Sequence, residues 1–331
     1  MKSENSKGIT LMNAFLCLCV VMIHLTSEPL MQLNYGSVQH IIMFTVNKLL
    51  CFSVPGFIFL SGFKLYTGYG NKKIDLKRFY GGRVKKILVP YLISVLVYFV
   101  YFYLKKWVNF TQLPQYIFLG TLAAHFYYVI IAVQFYILFP FIKNIFIRYD
   151  MIITVTALIC MICSRELLHF NYTDRFIGTY IFYFILGMFF AKNRDNVLKK
   201  SYCAINIAGF IITSVIYLIY LYKASVGEVS YRFENILNII YVSFSIMALY
   251  TVYSSLSEKC SILYNISKYL SAVSYNIYLY HIFVMSILKY DIMTRFNLSA
   301  RVEFLVTFIV LYFIIFIYLA VDSRIRNRLN S

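Results

Sequence analysis

The chain has 331 residues, 61% of them hydrophobic and 13% charged, with a mean hydropathy of +0.73. A soluble domain of this length has too little interior for so many apolar side chains, and the apolar runs are long enough to cross a bilayer, so a soluble globular fold is excluded. The net charge of +18 would point a soluble chain toward nucleic acid, but no basic–aromatic surface module accompanies it, and no nucleic-acid partner is expected.

Apolar windows fall at about 8–27, 40–66, 86–104, 125–147, 150–168, 176–192, 203–222, 235–256, 270–290 and 302–322. They predict an all-α fold, a polytopic transmembrane helical bundle of about ten spans. Long soluble insertions and low-complexity tracts are absent, so residues 1–331 read as a single integral membrane domain. With the N-terminus inside, the inner segments hold 21 Lys and Arg and the outer loops 9, leaving Lys48 within a span. That is the positive-inside bias; it places both termini in the cytoplasm and the chain in the cell membrane as a multi-pass protein. The tail before the first span, MKSENSK, is short and no small-residue cleavage site follows it, so this span is expected to be retained. The seven cysteines show no metal or disulfide spacing and read as small apolar residues. No metal site is expected.

The first span, ITLMNAFLCLCVVMIHLT, carries Asn13 and His24 among its apolar residues. Eleven residues at 100° each bring the two to within about 20° on one stripe, roughly 16 Å apart along the axis. Polar groups in hydrocarbon face protein or a wet cavity, so the stripe should look inward. In the second span, Lys48 needs a partner, a cavity or a snorkelling path. Pro55 and Gly56 should kink the helix, and Ser61 and Gly62 should allow close helix approach.

The inner loop that follows, from Lys64 to Lys86, holds eight basic residues against one acid, Asp75. It reads either as a topogenic anchor or as an anion site. In the second case Arg83 and Lys86, three apart at the start of the third span, share a helix face and grip the phosphates of a cytosolic donor such as a nucleotide or coenzyme A. The fourth span opens with His125, read as an interfacial-belt residue, and carries Gln134, whose amide must be satisfied internally. Gly178 and Gly187 read as packing sites. The ninth span places Ser271, Ser274, Tyr278 and His281 at spacings of 3, 4 and 3, one continuous polar stripe. His281 is either part of the same cavity or a buried histidine bonded to a neighbouring helix.

These groups outline a chemistry. A basic mouth collects an anionic donor, a polar cavity leads inward, and a neutral imidazole takes a proton from an alcohol near neutral pH. The product is an ester. The acids lie almost all at loops or span ends, which argues against proton-coupled transport.

At these residues the chain resembles the acyltransferase-3 family of integral membrane acyltransferases, which includes polysaccharide O-acetyl and O-succinyl transferases. The resemblance runs in order through VVMIHL, SVPGFIFLSGF, FYGGRVKKILVPYL, YYVIIAVQFYILFPF, YIFYFILGMFF and SAVSYNIYLYHIF. It implies acetyl-CoA or succinyl-CoA as co-substrate with no permanently bound cofactor, and transfer to a hydroxyl of an extracytoplasmic glycan or glycolipid. It also implies His24 as general base and Arg83 and Lys86 as the donor-binding pair. Asn13, Lys48, Ser61, Gln134, Ser274, Tyr278 and His281 are the candidate cavity residues, and polysaccharide biosynthesis proteins the candidate partners. One departure stands out: the family usually has an arginine eleven residues before the histidine, where this chain has Asn13, with Lys48 the candidate replacement cation. An exporter of cell-surface polysaccharide, and a sensory or structural domain without chemistry, are the alternative readings.

Overall fold

The computed structural model describes residues 4–70, 72–296 and 298–330, and the side chains of all these except 4–6, 258–259 and 323–330. In chain order the helices are α1 (Glu4–Gln32), α2 (Val38–Leu49), α3 (Ser53–Tyr69), α4 (Leu76–Arg83), α5 (Val89–Leu104), α6 (Leu113–Leu119), α7 (Tyr127–Arg148), α8 (Asp150–Leu167), α9 (Ile181–Lys192), α10 (Arg194–Val197), α11 (Lys200–Ser225), α12 (Glu234–Lys259), α13 (Ser261–Ile287) and α14 (Ala300–Asn330). Among the described residues there is no strand. That is what hydrocarbon demands, because a helix satisfies its own backbone.

Eight helical stretches are long and apolar enough to cross a membrane among the described residues. They coincide with eight of the ten windows. The other two windows fall on α8, of 18 residues, and on α9, of only 12. Helix α9 starts late because residues Thr173–Arg175 and Ile177–Thr179 are wound into short 3₁₀ turns instead. The second window is broken as Pro55 foretold. Proline excludes the carbonyl four residues back, here that of Cys51, and Leu50–Phe52 tighten into a 3₁₀ turn between α2 and α3.

The chain forms two compact units, residues 1–53 with 249–331, and residues 54–248. In the first, α1 and α13 run in the same direction, the relation expected between the first and ninth windows. The ammonium of Lys7 lies over the Tyr264 ring at one end, and Glu28 pairs with Lys289 beyond the other end of α13. Helix α14 runs the opposite way, donating from the Tyr312 hydroxyl to the Leu18 carbonyl and accepting at the Tyr318 hydroxyl from Asn276. Its Ile309, Phe313 and Phe316 stay exposed, a lipid-facing stripe.

In the second unit, α3 and α9 meet backbone to backbone. A Cβ on Gly62 would stand 2.0 Å from the Phe184 carbonyl oxygen, and one on Gly187 would stand 2.0 Å from that of Phe59. Both glycines are therefore packing residues, as their small-residue spacing implies. Around them lie stacked rings, Phe135 on Phe184 at 4.5 Å and Phe79 on Phe139 at 6.0 Å. His125 departs from expectation. It is 1% exposed, 4.5 Å from the Phe126 ring and 5.9 Å from that of Tyr98, so it is a core residue and not part of an interfacial belt.

Gly62→Ala and Gly187→Ala should each lower stability in detergent by about 1–3 kcal/mol, through backbone displacement at the crossing. Gly68→Ala, where a Cβ meets nothing within 4 Å, should leave the melting temperature unchanged or raise it, since alanine is the better helix former by about 1 kcal/mol. Thermal unfolding of the three variants checks this.

Candidate functional site

The polar stripes of α1 and α13 face each other. Asn13, 6% exposed, donates its amide hydrogens to the Ser274 hydroxyl at 2.8 Å and the Ser271 hydroxyl at 3.0 Å. Ser274 passes its own hydrogen to the Ser271 carbonyl at 2.9 Å. An amide nitrogen has two hydrogens to give, and both find oxygen here. One turn on, the Cys17 thiol points to the Ser274 carbonyl. Asn13 is thus a fastener between two helices, and the position is neutral where the family resemblance leads one to expect a cation.

Three turns above Asn13, His24 lies against His281, with ring centroids 5.1 Å apart. His281 is 2% exposed, and its Nδ1 faces the carbonyls of Tyr278 at 2.8 Å and Ile277 at 3.1 Å. Carbonyl oxygens only accept, so Nδ1 carries the proton and fixes the tautomer of the ring. Tyr278, also buried, closes the group with its ring 6.1 Å from that of His281. His24 is half-buried and lines a cavity of about 200 Å³, whose walls carry Glu28, Ser286, Lys289, Glu303 and Thr307 among apolar Leu25, Ile282, Met285 and Phe304. The imidazole of residue 24 therefore borders a largely apolar cavity with charged and hydroxyl groups on its walls.

Lys48, the candidate replacement cation, packs against its own helix. Its ammonium sits over the Phe44 ring of its own helix, at 5.8 Å, and among the described residues it makes no ion pair. The residue of α2 that grips α1 is its neighbour Asn47, whose amide reaches the Ile23 carbonyl and the hydroxyls of Thr26 and Ser27 at 3.0–3.2 Å. One step along a helix turns a side chain by about 100°, enough to exchange these roles.

In the second unit, the Arg83 guanidinium lies in an aromatic box. Its centre is 3.9 Å from the Phe79 ring centroid, 5.1 Å from that of Tyr69 and 5.9 Å from that of Tyr136. Nη1 donates to the Tyr69 hydroxyl and the Phe79 carbonyl, both at 3.2 Å. A planar cation between ring faces is held flat, with its other donors left for an anion. Lys86 is exposed. The expected shared face is altered, because Val84–Leu88 form a π turn whose wider winding carries Lys86 further round from Arg83. Behind Tyr69, the buried ammonium of Lys143 caps the end of α3 by donating to the carbonyls of Tyr69 and Lys72.

Two candidate cavity residues are committed to structure. Gln134 donates to the Arg175 carbonyl at 2.8 Å and accepts from the Ile177 amide at 3.0 Å, pinning the 3₁₀ turns before α9. The Ser61 hydroxyl donates to the Phe57 carbonyl at 2.9 Å and hydrogen-bonds with Tyr128 and Tyr136. The first unit thus gathers Asn13, His24, Ser274, Tyr278 and His281, and the second holds Arg83, Lys86, Ser61 and Gln134. Sequence reasoning passed over Glu28, Lys289, Glu303, Asn47, Tyr69 and Lys143. Charges at span ends carry no signal of their own; the one available clue was that Glu28 follows His24 by four residues and so shares its helix face. Among the described residues no group of three His, Cys, Asp or Glu side chains is placed to hold a metal ion.

A family model described as an acyltransferase domain, that of the acyltransferase-3 family, matches residues 6–321. Two relatives from Staphylococcus aureus carry the name probable poly-β-1,6-N-acetyl-D-glucosamine export protein. That of strain MRSA252 is 25% identical over 297 residues, and that of strain Mu50 is 26% identical over 296; each alignment covers 82% of this chain and 79% of the relative. No solved structure matches.

Asn13→Ala should cost about 1–2 kcal/mol by leaving two serine hydroxyls without their donor in a helix–helix seam. Asn13→Leu, which also crowds the seam, should cost more. Unfolding in detergent micelles, followed by circular dichroism, measures both.

Proposed function

We propose, from the premise that this chain belongs to the acyltransferase-3 family, that it is a membrane O-acyltransferase. It moves an acetyl or succinyl group from cytosolic acyl-CoA to a hydroxyl of a cell-surface or lipid-linked glycan, in the cell membrane. The observation that carries this reading is the placement of His24, which lines a cavity bearing carboxylate, ammonium and hydroxyl groups among apolar walls, with a tautomer-fixed imidazole, His281, beside it. An imidazole on the wall of a cavity is placed to meet a hydroxyl; one among acyl chains is not.

In the reaction, neutral His24 takes the proton of the acceptor hydroxyl as its oxygen attacks the thioester carbonyl carbon. The new C–O bond forms, the C–S bond breaks, and the thiolate of coenzyme A leaves and recovers the proton from the His24 imidazolium. His281 acts as a positioning residue, holding the His24 ring in one orientation by its own fixed contact. Arg83, flat in its aromatic box, and exposed Lys86 bind the phosphates of the donor, the first by direction and the second by charge. Asn13 takes no part in charge stabilisation; it sets the helix register that brings His24 to His281.

The name shared by the relatives favours a second reading, export of a polysaccharide without acyl transfer. The two separate in purified, nanodisc-embedded protein supplied with acyl-CoA and a glycan acceptor. As an acyltransferase, His24→Ala lowers thiol release by about 10²–10⁴-fold, the usual contribution of a general base, with coenzyme A binding intact. Arg83→Ala instead weakens coenzyme A binding. No thiol release from the wild type, under conditions where the polymer still reaches the cell surface, favours export.

A further inference from the structure

The cavity at His24 carries an electrostatic preference for its occupant, and this inference rests on the reading of His24 as the acyl-transfer base. At about 200 Å³, the cavity has room for roughly seven waters at their liquid share of ~30 Å³ each. That suits one sugar residue of a longer chain, the rest of which would lie outside the cavity. Three charged side chains line it. Glu28, on α1, and Lys289, just past the end of α13, are paired with each other. Glu303, in the first turn of α14, brings a second carboxylate to the same wall without a second cation among the lining residues. The lining therefore holds one negative charge in excess.

A sugar bearing only hydroxyls or an N-acetyl group would bind there without balancing that charge. A sugar with a free ammonium group would neutralise it while presenting a neighbouring hydroxyl to His24. Ser286 and Thr307 supply hydroxyls to the same wall. We infer that this cavity is the acceptor site and that it selects an amino sugar with an unacylated, protonated amine over its N-acetylated counterpart. Glu303 is the specificity-determining residue, and the Glu28–Lys289 pair keeps the second carboxylate from adding to it.

Binding of short glucosamine oligosaccharides and of their fully N-acetylated forms to the full chain in nanodiscs tests this, with acyl transfer measured in parallel. The expected result is a preference for the free amine of about three- to tenfold, the range for a partly exposed charge pair. His24→Ala should keep the preference, Glu303→Asp should keep it, and Glu303→Gln should lose it with the N-acetylated form bound as before. Lys289→Met, which releases the charge of Glu28, should enlarge it. Equal binding of the two sugars by the wild type, or a preference that survives in Glu303→Gln, overturns the inference. A preference that follows this pattern while no acyl group is transferred supports the site and removes the enzymatic reading instead.

Discussion

The seam between α1 and α13 is the constraint on which the site depends. A bilayer offers no water to a buried amide, hydroxyl or imidazole, so each polar group in a crossing helix must meet another or open to a cavity. Here Asn13 meets Ser271 and Ser274, His24 meets His281, and Glu28 meets Lys289, in that order along two helices running the same way. The contacts share one register between the two helices. A slip of one residue would rotate the partners by about 100° and leave several of them in hydrocarbon. Specificity of assembly and placement of His24 are thus one and the same interaction.

Much of this was legible from residue spacing. Hydrocarbon permits little besides helices, so long apolar runs could be read as an all-α bundle, and the 100° geometry of a helix put Asn13 with His24 and Ser271 through His281 on inward stripes. What spacing does not encode is which stripe meets which, or which of two adjacent polar residues faces a neighbour. Lys48 and Asn47 show this: the lysine attracts notice because a charge in a membrane is costly, yet the amide makes the contact. Gln134 looked like a cavity residue because a mid-span amide needs partners, and it found them in the backbone of residues 175–177. The short start of α9 was hidden for the same reason.

Charge was the least readable feature. Arg83 stood out for its position in a basic run, but its orientation comes from Tyr69, Phe79 and Tyr136, brought together by three different helices. Glu28, Lys289 and Glu303 lie near span ends, where charged residues are ordinary, and acquire meaning only when folding sets them around one cavity with His24. Asn13, where the resemblance leads one to expect arginine, becomes intelligible in the same way. The amide gives α13 two directed bonds without bringing a charge into the seam.

Under the proposed function, His24 acts chemically on a surface glycan. Mass spectrometry of surface glycans from a wild-type strain and a strain carrying His24→Ala measures this directly. Loss of an acyl mass from a polymer otherwise normal in length and amount is the predicted result. A glycan unchanged in both quantity and acylation in the His24→Ala strain would contradict it.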